Sequence, residues 1–364
     1  MSTQQALKHI DKEILHLLKE RICLLADTGV PPLQEQITCQ QQLLQEVGIP
    51  HHLWEGVVTA CMAVLAETST RQVKVSPKQV TLVGGGGVMG QFFHRKLLQS
   101  GHQVRILEQD NWQQANKLLS GVDLVLLCVP LQVMESVIRQ VVPYLNSSTA
   151  LIDIASVKTP VVNTMTKCHK GPVMGLHPMF GPGVKSFLGQ KIVVCPGRHY
   201  DSFRWFLEFI EQDGGKLINC TPEEHDQMMV AVQAIRHFST FSLGIFLSQC
   251  GIDLKKSLDF ASPIYRLELN MVSRLFVQEP SLYVDIMLAS EERRLAIRQL
   301  ADTCQTLAKL AENGDRKELL DKFHQAYQTF REDSCRTLQE SNYMINSLST
   351  FLTALDMEIQ SQYA

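Results

Sequence analysis

The sequence lacks several features that would assign a protein class at once. Its formal charge is only −3 over 364 residues, so the charge balance indicates neither a nucleic acid nor an anionic membrane as partner. No apolar run approaches the roughly 20 residues that span a bilayer. The charged, amphipathic N-terminus also predicts no signal peptide. We therefore expect a cytoplasmic protein that binds a small molecule.

Patterns typical of metal sites and disulfides are missing too. The ten cysteines are scattered and form neither a CxxC motif nor a Cys/His cluster at zinc spacing. This spacing predicts reduced, mostly buried thiols and no metal site. Hydrophobic residues make up 45% of the chain and charged residues 20%, which is ordinary globular composition.

The patterns that are present divide the chain into four parts. Residues 1–70 carry three helical stretches and predict a small all-α module, and the polar residues 71–78 predict a linker. Over residues 79–220, short apolar runs alternate with helical segments, which predicts an α/β Rossmann domain with a parallel sheet. Residues 221–364 carry helical patterns, and fold analogy predicts an all-α domain for substrate binding and dimerisation.

A glycine-rich segment, VGGGGVMG at residues 83–90, follows the first apolar run. It contains GxGxxG between a predicted strand and a predicted helix, the arrangement that binds a dinucleotide. Gly85 is expected to permit the tight turn, Gly87 to admit the pyrophosphate, and Gly90 to let the helix pack on the strand. The predicted cofactor-binding residues are Gly85, Gly86, Gly87, Val88, Met89, Gly90, Glu108, Val129 and Pro130.

The choice of dinucleotide depends on the end of the second predicted strand. Glu108 lies there, roughly 20 residues past the glycines, where a carboxylate accepts hydrogen bonds from the adenosine ribose. Because a carboxylate repels a 2′-phosphate, the sequence favours NAD over NADP. Arg105 is expected to face away, since it lies three residues before the strand end. Val129 and Pro130 are expected to line the nicotinamide side with their backbone.

A series of motifs follows in order between about residues 79 and 335: VGGGGVMG, RILEQDNW, ASVK, GLHPMFGP, EHDQ, RHFSTF and SPIYRLELNMV. This series resembles the TyrA prephenate dehydrogenase family, specifically its bifunctional chorismate mutase–prephenate dehydrogenase branch, the T-proteins. The resemblance implies a NAD-dependent enzyme of tyrosine biosynthesis, with a helical domain that forms a homodimer. It also implies that tyrosine acts as an inhibitor.

The reaction implied by the resemblance oxidises and decarboxylates prephenate to 4-hydroxyphenylpyruvate. It requires a base at the ring hydroxyl, cations for two carboxylates, and a cleft that excludes water. His177 is predicted to accept the hydroxyl proton, so activity should fall as the pH drops through its pKa; the alternative is a structural histidine before a proline turn. Ser156 is predicted to orient His177 or the substrate hydroxyl, or else to cap the next helix.

Arginines are the predicted carboxylate ligands, because a guanidinium binds a carboxylate through two hydrogen bonds. Arg274 is predicted to bind the ring carboxylate, and Arg266, eight residues earlier, either assists it or holds the domain together through a buried ion pair. The resemblance places the histidine that matches His237 near the side-chain carboxylate. Further predicted substrate-binding residues, each with a structural alternative, are Lys158, His225, Tyr283 and Gln278.

The N-terminal module resembles the AroQ-type chorismate mutase domain but departs from its pattern. Arg21 matches one family arginine, whereas Leu7, with Lys8 beside it, stands where another is expected. The segment at residues 30–33 also lacks the usual lysine. Since the mutase reaction depends on cations around its substrate, we expect weak or absent mutase activity. The open alternatives are a genuinely bifunctional enzyme, an arogenate dehydrogenase, and a non-catalytic sensor of nucleotide or tyrosine.

Overall fold

In a computed structural model of the protein, residues 2–68, 76–181 and 183–363 are described. The chain forms two compact units, which divide between Asp226 and Gln227. Most of the predicted linker lies outside the described residues. The domain boundaries expected at residues 70, 78 and 220 stay predictions.

Four helices begin the first unit, where the sequence predicts three. They are α1 (Thr3–Thr28), α2 (Leu33–Thr38), α3 (Gln41–Val47) and α4 (His51–Thr68). The second of the three predicted helical stretches is divided into α2 and α3, because the chain leaves the helical conformation between Thr38 and Gln41, at residues with no sequence signal for a break. Both α1 and α2 pack against α4.

A seven-stranded sheet forms the rest of the first unit. The strands are β1 (Gln79–Val83), β2 (Gln103–Leu107), β3 (Leu124–Leu127), β4 (Ala150–Asp153), β5 (Val173–Pro178), β6 (Lys191–Arg198) and β7 (Lys216–Asn219). Their order across the sheet is β2-β1-β3-β4-β5-β6-β7. Strands β1 to β5 are parallel, β6 runs antiparallel to β5, and β7 is parallel to β6. The predicted parallel sheet is therefore correct up to β5, a strand that the sequence patterns did not predict.

Helices cover both faces of this sheet. Their bounds are α5 (Val88–Gln99), α6 (Ala115–Leu119), α7 (Leu131–Val141), α8 (Thr159–Cys168) and α9 (Arg204–Gln212). Because successive strand residues point to opposite faces, Leu124 and Leu126 enter the core under α5 and α9, whereas Val125 and Leu127 enter the core under α6, α7 and α8. This double burial explains why β3 is an uninterrupted apolar run.

After β7 the described residues form helices joined by short turns, and no strand. The helices are α10 (Pro222–Met229), α11 (Arg236–Gln249), α12 (Leu254–Asp259), α13 (Pro263–Phe276), α14 (Pro280–Leu288), α15 (Glu291–Glu312), α16 (Arg316–Phe330) and α17 (Ser334–Tyr363), with a π-helical turn at Val230–Ile235. The continuous helical stretch Pro222–Gln249 is long and apolar enough to cross a membrane by length and composition, and only 6% of its apolar window is buried. The expectation that no apolar stretch approaches this length is wrong for this segment.

The state of the cysteines and the arrangement of possible metal ligands can be compared with the expectations from the sequence. All ten cysteines are free, but Cys23, Cys39, Cys250, Cys304 and Cys335 are exposed, so the expectation of mostly buried thiols is wrong for the single chain. Among the described residues, no group of three or more His, Cys, Asp or Glu side chains is arranged to hold a metal ion.

Candidate active site

The glycine-rich turn between β1 and α5 has the geometry of a tight loop under a helix. Gly84 has φ +79°, a conformation that glycine adopts without strain, so the tight turn assigned to Gly85 rests instead on Gly84. A Cβ on Gly90 would lie 2.5 Å from the carbonyl oxygen of Gly84 and 2.7 Å from Cα of Gly85. The first turn of α5 therefore packs directly on the loop.

The N-terminus of α5 is open to a ligand. Gly87 is the N-cap and has no side chain to satisfy the N–H groups of the first turn, which begins at Val88. A Cβ on Gly87 would have the carbonyl oxygen of Gly84 as its nearest neighbour, at 3.4 Å. Val88 is exposed, and Met89 packs into the core. The loop and the helix terminus together fit a diphosphate, which backbone N–H groups and the helix dipole both favour.

An acidic side chain lies beside this loop. Glu108 directly follows β2, and its Oε1 accepts a hydrogen bond from the backbone N of Gly86 at 2.5 Å. Arg105 instead donates to Oε1 of Gln79 at 2.8 Å. Because Gln79 is the first residue of β1, Arg105 points to the opposite end of the strand from the loop, as expected. The charge next to the loop is therefore negative.

The end of β3 contributes the remaining predicted cofactor contacts. Val129 packs against the turn, since its Cγ1 would lie 2.9 Å from a Cβ on Gly84. Pro130 is the residue that immediately precedes α7. Both lie at the carboxyl end of β3, which is next to β1 in the sheet. Ligands of open α/β sheets bind at this edge.

The first unit also contains a hydrogen-bonded chain of three side chains, separate from the glycine loop. His177 lies on β5, and its Nδ1 is 2.7 Å from Nε2 of His225. Nδ1 of His225 is in turn 2.8 Å from Oδ1 of Asp226. His177 is 5% exposed and His225 1% exposed, so these contacts are shielded from water and strengthened by the low local dielectric.

Asp226 anchors this chain to the N-terminus of α8. Its two carboxylate oxygens accept hydrogen bonds from the backbone N atoms of Lys158 and Thr159, each at 2.8 Å. Burial raises the pKa of Asp226, but hydrogen bonds from His225 and these N–H groups outweigh it and hold the pKa at about 2. Asp226 thus caps α8, and the role of Ser156, in orientation or in capping, stays a prediction. Ser156 is half-buried two residues earlier.

Lys158 is fully buried, whereas the sequence predicts contact with the substrate or cofactor, with a solvated side chain as the alternative. Its Nζ forms an ion pair with Asp153 at the end of β4 and donates to the carbonyl oxygen of Leu176 at 2.8 Å. Both charged side chains are 0% exposed. Burial raises the pKa of the Asp153 carboxyl, and the ammonium of Lys158 opposes this. Since Leu176 precedes His177, Lys158 positions the strand that carries His177. Contact of Lys158 with a substrate stays a prediction.

A second group of predicted residues lies in the second unit, and one of them, His237, comes just after the π-helical turn. Such turns are rare and are frequent at functional sites. The ring of His237 packs edge-on against Tyr283, with centroids 4.9 Å apart. The Tyr283 hydroxyl donates to Oε1 of Gln278 at 2.5 Å. Nη1 of Arg236 lies 3.4 Å from Nδ1 of His237. The structure therefore brings His237, Tyr283 and Gln278 together, as one binding site requires.

Arginine side chains act on both rings of this group. Burial lowers the pKa of His237, and the guanidinium groups of Arg236 and Arg293 lower it further, to about 4. Burial raises the pKa of Tyr283, while Arg274 and Arg236 oppose this. Arg293 is only 1% exposed, so its charge acts through a medium of low dielectric. His237 is therefore neutral at pH 7, and the guanidinium groups of Arg236 and Arg293 act on its ring.

The two arginines predicted as carboxylate ligands lie on α13. Arg274 is exposed near its C-terminal end, and Arg266 is half-buried in the first turns. The charge of Arg274 acts on Tyr283, which connects α13 electrostatically with the His237 group. A role for either arginine in binding a carboxylate stays a prediction.

Two neutral side chains, Gln36 and Trp54, contact Arg21 in the N-terminal helices. Its Nη2 donates to Oε1 of Gln36 at 2.7 Å, and the guanidinium lies 5.4 Å from the centroid of the Trp54 ring. Gln36 is only 6% exposed, and its backbone carbonyl oxygen accepts a hydrogen bond from Nε1 of Trp54. Nη1 of Arg21 is buried and has no hydrogen-bond partner among the described residues.

Comparison with known proteins identifies the family. The model described as "Prephenate dehydrogenase, nucleotide-binding domain" matches residues 98–219, and that described as "Prephenate dehydrogenase, dimerization domain" matches residues 221–325. The T-protein of Enterobacter agglomerans is 36% identical over 354 residues, which cover 93% of this chain and 95% of that protein. The chain belongs to the prephenate dehydrogenase family. The T-protein of Haemophilus influenzae is 34% identical, over 95% of this chain and 98% of that protein.

The structural comparison agrees with this family. A crystal structure of prephenate dehydrogenase from A. aeolicus, in complex with hydroxyphenyl propionate and NAD+, has a TM-score of 0.54 and 18% identity. The match covers 71% of this chain and 99% of the A. aeolicus chain and shows a common fold. The predicted family and T-protein type, the Rossmann and all-α architecture, and an NAD-dependent dehydrogenase are confirmed.

The sequence patterns alone did not identify four charged residues that shape these groups: Asp153, Asp226, Arg236 and Arg293. Asp153 ends a buried apolar strand and Asp226 lies inside the EHDQ motif, so a carboxylate in an apolar or motif context was an available signal. Arg293 begins a charged helix, and nothing in that pattern distinguishes a buried arginine from an exposed one.

Proposed function

We propose that the protein oxidatively decarboxylates prephenate to 4-hydroxyphenylpyruvate with NAD, and that His177 accepts the proton of the ring hydroxyl. The observation that carries this proposal is the chain from His177 through His225 to Asp226, with successive distances of 2.7 and 2.8 Å. A positioned base of this kind contributes about 10²- to 10⁴-fold to such a reaction.

The order of donors along this chain favours His177 as a base. Asp226 is ionised, since its pKa is about 2, and a carboxylate only accepts hydrogen bonds. Nδ1 of His225 therefore carries a proton. With both rings neutral, Nε2 of His225 accepts from Nδ1 of His177, and the lone pair of His177 lies on Nε2. Asp226 and His225 thus hold His177 in the tautomer that accepts a proton.

The glycine loop and Glu108 are the proposed holders of NAD. Gly85, Gly86 and Gly87 admit the diphosphate and the N-terminus of α5 faces it, while Glu108 accepts hydrogen bonds from the adenosine ribose. Val129 and Pro130 line the nicotinamide side. When bound, NAD supplies the acceptor for the hydride that leaves ring C4.

The proton balance of the reaction needs one group on the protein. Nε2 of His177 takes the hydroxyl proton as the C4 oxygen becomes a carbonyl. Departure of CO₂ from C1 leaves its electron pair in the ring, which becomes aromatic, and His177 returns the proton to the phenolate oxygen. Ser156, half-buried after β4, orients His177 or the substrate hydroxyl in this proposal.

Cationic groups of the second unit are the proposed ligands of the substrate carboxylates. Arg274 binds the ring carboxylate and Arg266 assists it. His237, Tyr283 and Gln278 bind the side chain of the substrate. A dianionic substrate fits this assignment, because the described charges that act on His237 and Tyr283 are arginines.

The experiment that tests this function combines the purified protein with prephenate and NAD. NADH absorbance gives the rate, and chromatography identifies the product. We expect 4-hydroxyphenylpyruvate and NADH in equal amounts. Turnover of arogenate alone would move the substrate but keep the dehydrogenase, and turnover of neither compound would refute the proposed reaction.

A cytoplasmic homodimer is the proposed assembly. The stretch Pro222–Gln249 is apolar and little buried in the single chain, and a second copy would cover such a surface. The match of residues 221–325 to a dimerization domain supports this choice over a membrane. Sedimentation of the purified protein without detergent should give twice the chain mass of 41.0 kDa, whereas a requirement for detergent would support the membrane. Tyrosine, proposed as an inhibitor, should lower the rate in the same assay.

The N-terminal module is proposed to have little or no chorismate mutase activity. Arg21 is the family cation that remains, and one side of its guanidinium is held by Gln36 and Trp54. A functioning mutase is the second candidate, favoured by the buried, unpartnered Nη1 of Arg21. Conversion of chorismate to prephenate, lost in Arg21→Ala, would support the second candidate; no conversion would support the first.

A further inference from the structure

Prephenate and arogenate differ at a single carbon, next to the side-chain carboxylate. Prephenate carries a ketone there, whose oxygen only accepts hydrogen bonds, and arogenate carries an ammonium group, which only donates them and is positively charged. A site that binds this carboxylate therefore also holds the ketone or the ammonium close to its own donors and charges. Donor direction and charge at the site decide between the two compounds.

Arg236 determines which nitrogen of His237 carries the proton. A guanidinium is a donor only, and its Nη1 lies 3.4 Å from Nδ1 of His237, so Nδ1 is the acceptor. The ring is neutral at pH 7, because its pKa is about 4. The single ring proton is therefore on Nε2, and this nitrogen presents an N–H donor to any ligand.

The positive field on this region comes from guanidinium groups on three helices. Arg236 is on α11 and Arg293 on α15, and both act on the His237 ring. Arg274 on α13 acts, with Arg236, on Tyr283 of α14, whose ring packs against that of His237. Such a field attracts a carboxylate and repels an ammonium group.

We propose that Arg236, acting through the tautomer of His237 and through its own charge, makes the enzyme select the keto acid over the corresponding amino acid. Nε2–H of His237 donates a hydrogen bond to the ketone oxygen. It cannot accept one from the N–H groups of an ammonium group, so the two donors repel each other. This inference rests on the proposed prephenate dehydrogenase function. Arg236 is a positioning and specificity residue, since it acts through His237 rather than on the reacting atoms.

Substitution of Arg236 tests the proposal through a ratio. The ratio of kcat/KM for prephenate to kcat/KM for arogenate is measured with NAD in the wild type, Arg236→Gln and Arg236→Lys. Arg236→Gln is expected to lower this ratio by about tenfold or more, because it removes the charge and allows the other tautomer. Arg236→Lys keeps a charged donor and should keep the ratio within about threefold of the wild type.

A control variant separates this effect from a general loss of positive charge. Arg298→Gln removes an arginine from α15 in the same unit, and its side chain is 78% exposed and paired with Asp302. It should leave the ratio unchanged. If Arg236→Gln fails to fold, His237→Phe keeps the ring packing on Tyr283, removes both nitrogens, and should lower the ratio in the same direction.

Two outcomes would overturn the inference while leaving the proposed dehydrogenase function intact. One is an equal loss of kcat/KM for both compounds in Arg236→Gln, which would make Arg236 a ligand of a shared group. The other is a wild type that oxidises arogenate as well as prephenate. A wild type that oxidises neither compound would instead contradict the proposed function itself.

Discussion

Replacing Asp226 by asparagine tests how far the carboxylate controls His177. The amide has nearly the same shape, but its Nδ2 donates hydrogen bonds. When that group faces Nδ1 of His225, the proton of His225 moves to Nε2, and His177 must then accept at Nδ1. The proton of His177 moves to Nε2, the nitrogen that is proposed to take the substrate proton. The base is then blocked although its position is unchanged.

The expected loss of kcat is about 10²- to 10⁴-fold, the range for a positioned base that is removed or held in the wrong tautomer. KM should change little, because neither Asp226 nor His225 is assigned to substrate carboxylates. Stability should fall as well. A pKa of about 2 in place of 3.8 corresponds to about 2 kcal/mol at neutral pH.

The sign of the pH dependence follows from the lowered pKa. A depressed carboxyl pKa contributes stability above its unfolded value, and this contribution is lost as the pH falls through the folded value. Wild type and Asp226→Asn should therefore differ in free energy of unfolding at pH 7. The difference should shrink between about pH 4 and pH 2.

The assay is steady-state kinetics with prephenate and NAD, together with denaturant unfolding. Asp213→Asn is the matched control, because Asp213 is also a partly buried carboxylate that accepts a backbone N–H, from Phe187 at 2.8 Å, and pairs with a cation, Lys96. The control should lose stability but keep kcat. Unchanged kcat in Asp226→Asn, or an equal loss in Asp213→Asn, would refute the tautomer argument.

Three further predictions concern the groups around this chain. Lys158→Met leaves Asp153 buried and unpaired and should lower the free energy of unfolding by about 3–5 kcal/mol, whereas the double variant Lys158→Met/Asp153→Leu should recover part of it in the same denaturation experiment. Gly90→Ala places a Cβ 2.5 Å from the carbonyl oxygen of Gly84 and should raise KM for NAD about tenfold or more with KM for prephenate unchanged; equal NAD affinity by titration would contradict this. Glu108→Ser removes the carboxylate at the loop and should shift the NAD/NADP ratio of kcat/KM towards NADP by about tenfold, so an unchanged ratio would remove Glu108 from cofactor choice.

The parts of the fold that the sequence predicted are those governed by local pattern. Strands β1, β3 and β4 are short apolar runs because they are buried on both faces, and the glycine loop is bounded by a strand and a helix. Strand β5 escaped prediction because Gly175, His177 and Pro178 interrupt its apolar residues. This segment is a strand because it pairs with β6, and a short stretch of sequence does not show such a long-range contact.

The parts of the site that the sequence missed depend on burial and on contacts between distant segments. Lys158 was predicted to bind substrate, with a solvated side chain as the alternative, because buried lysines are rare; the position of Asp153 across the loop explains its burial. His225 was a candidate on resemblance, but its link to His177 spans 48 residues and requires the fold. The direction of Arg105 was predicted correctly, since strand alternation is a local property.

The most direct test of the central claim is the turnover number of His177→Asn with saturating prephenate and NAD. Asparagine preserves hydrogen bonding in the buried pocket but has no basic nitrogen. The account predicts a loss of kcat of about 10³-fold, with NAD affinity unchanged. A variant that keeps kcat within about twofold of the wild type would contradict the assignment of His177 as the proton acceptor.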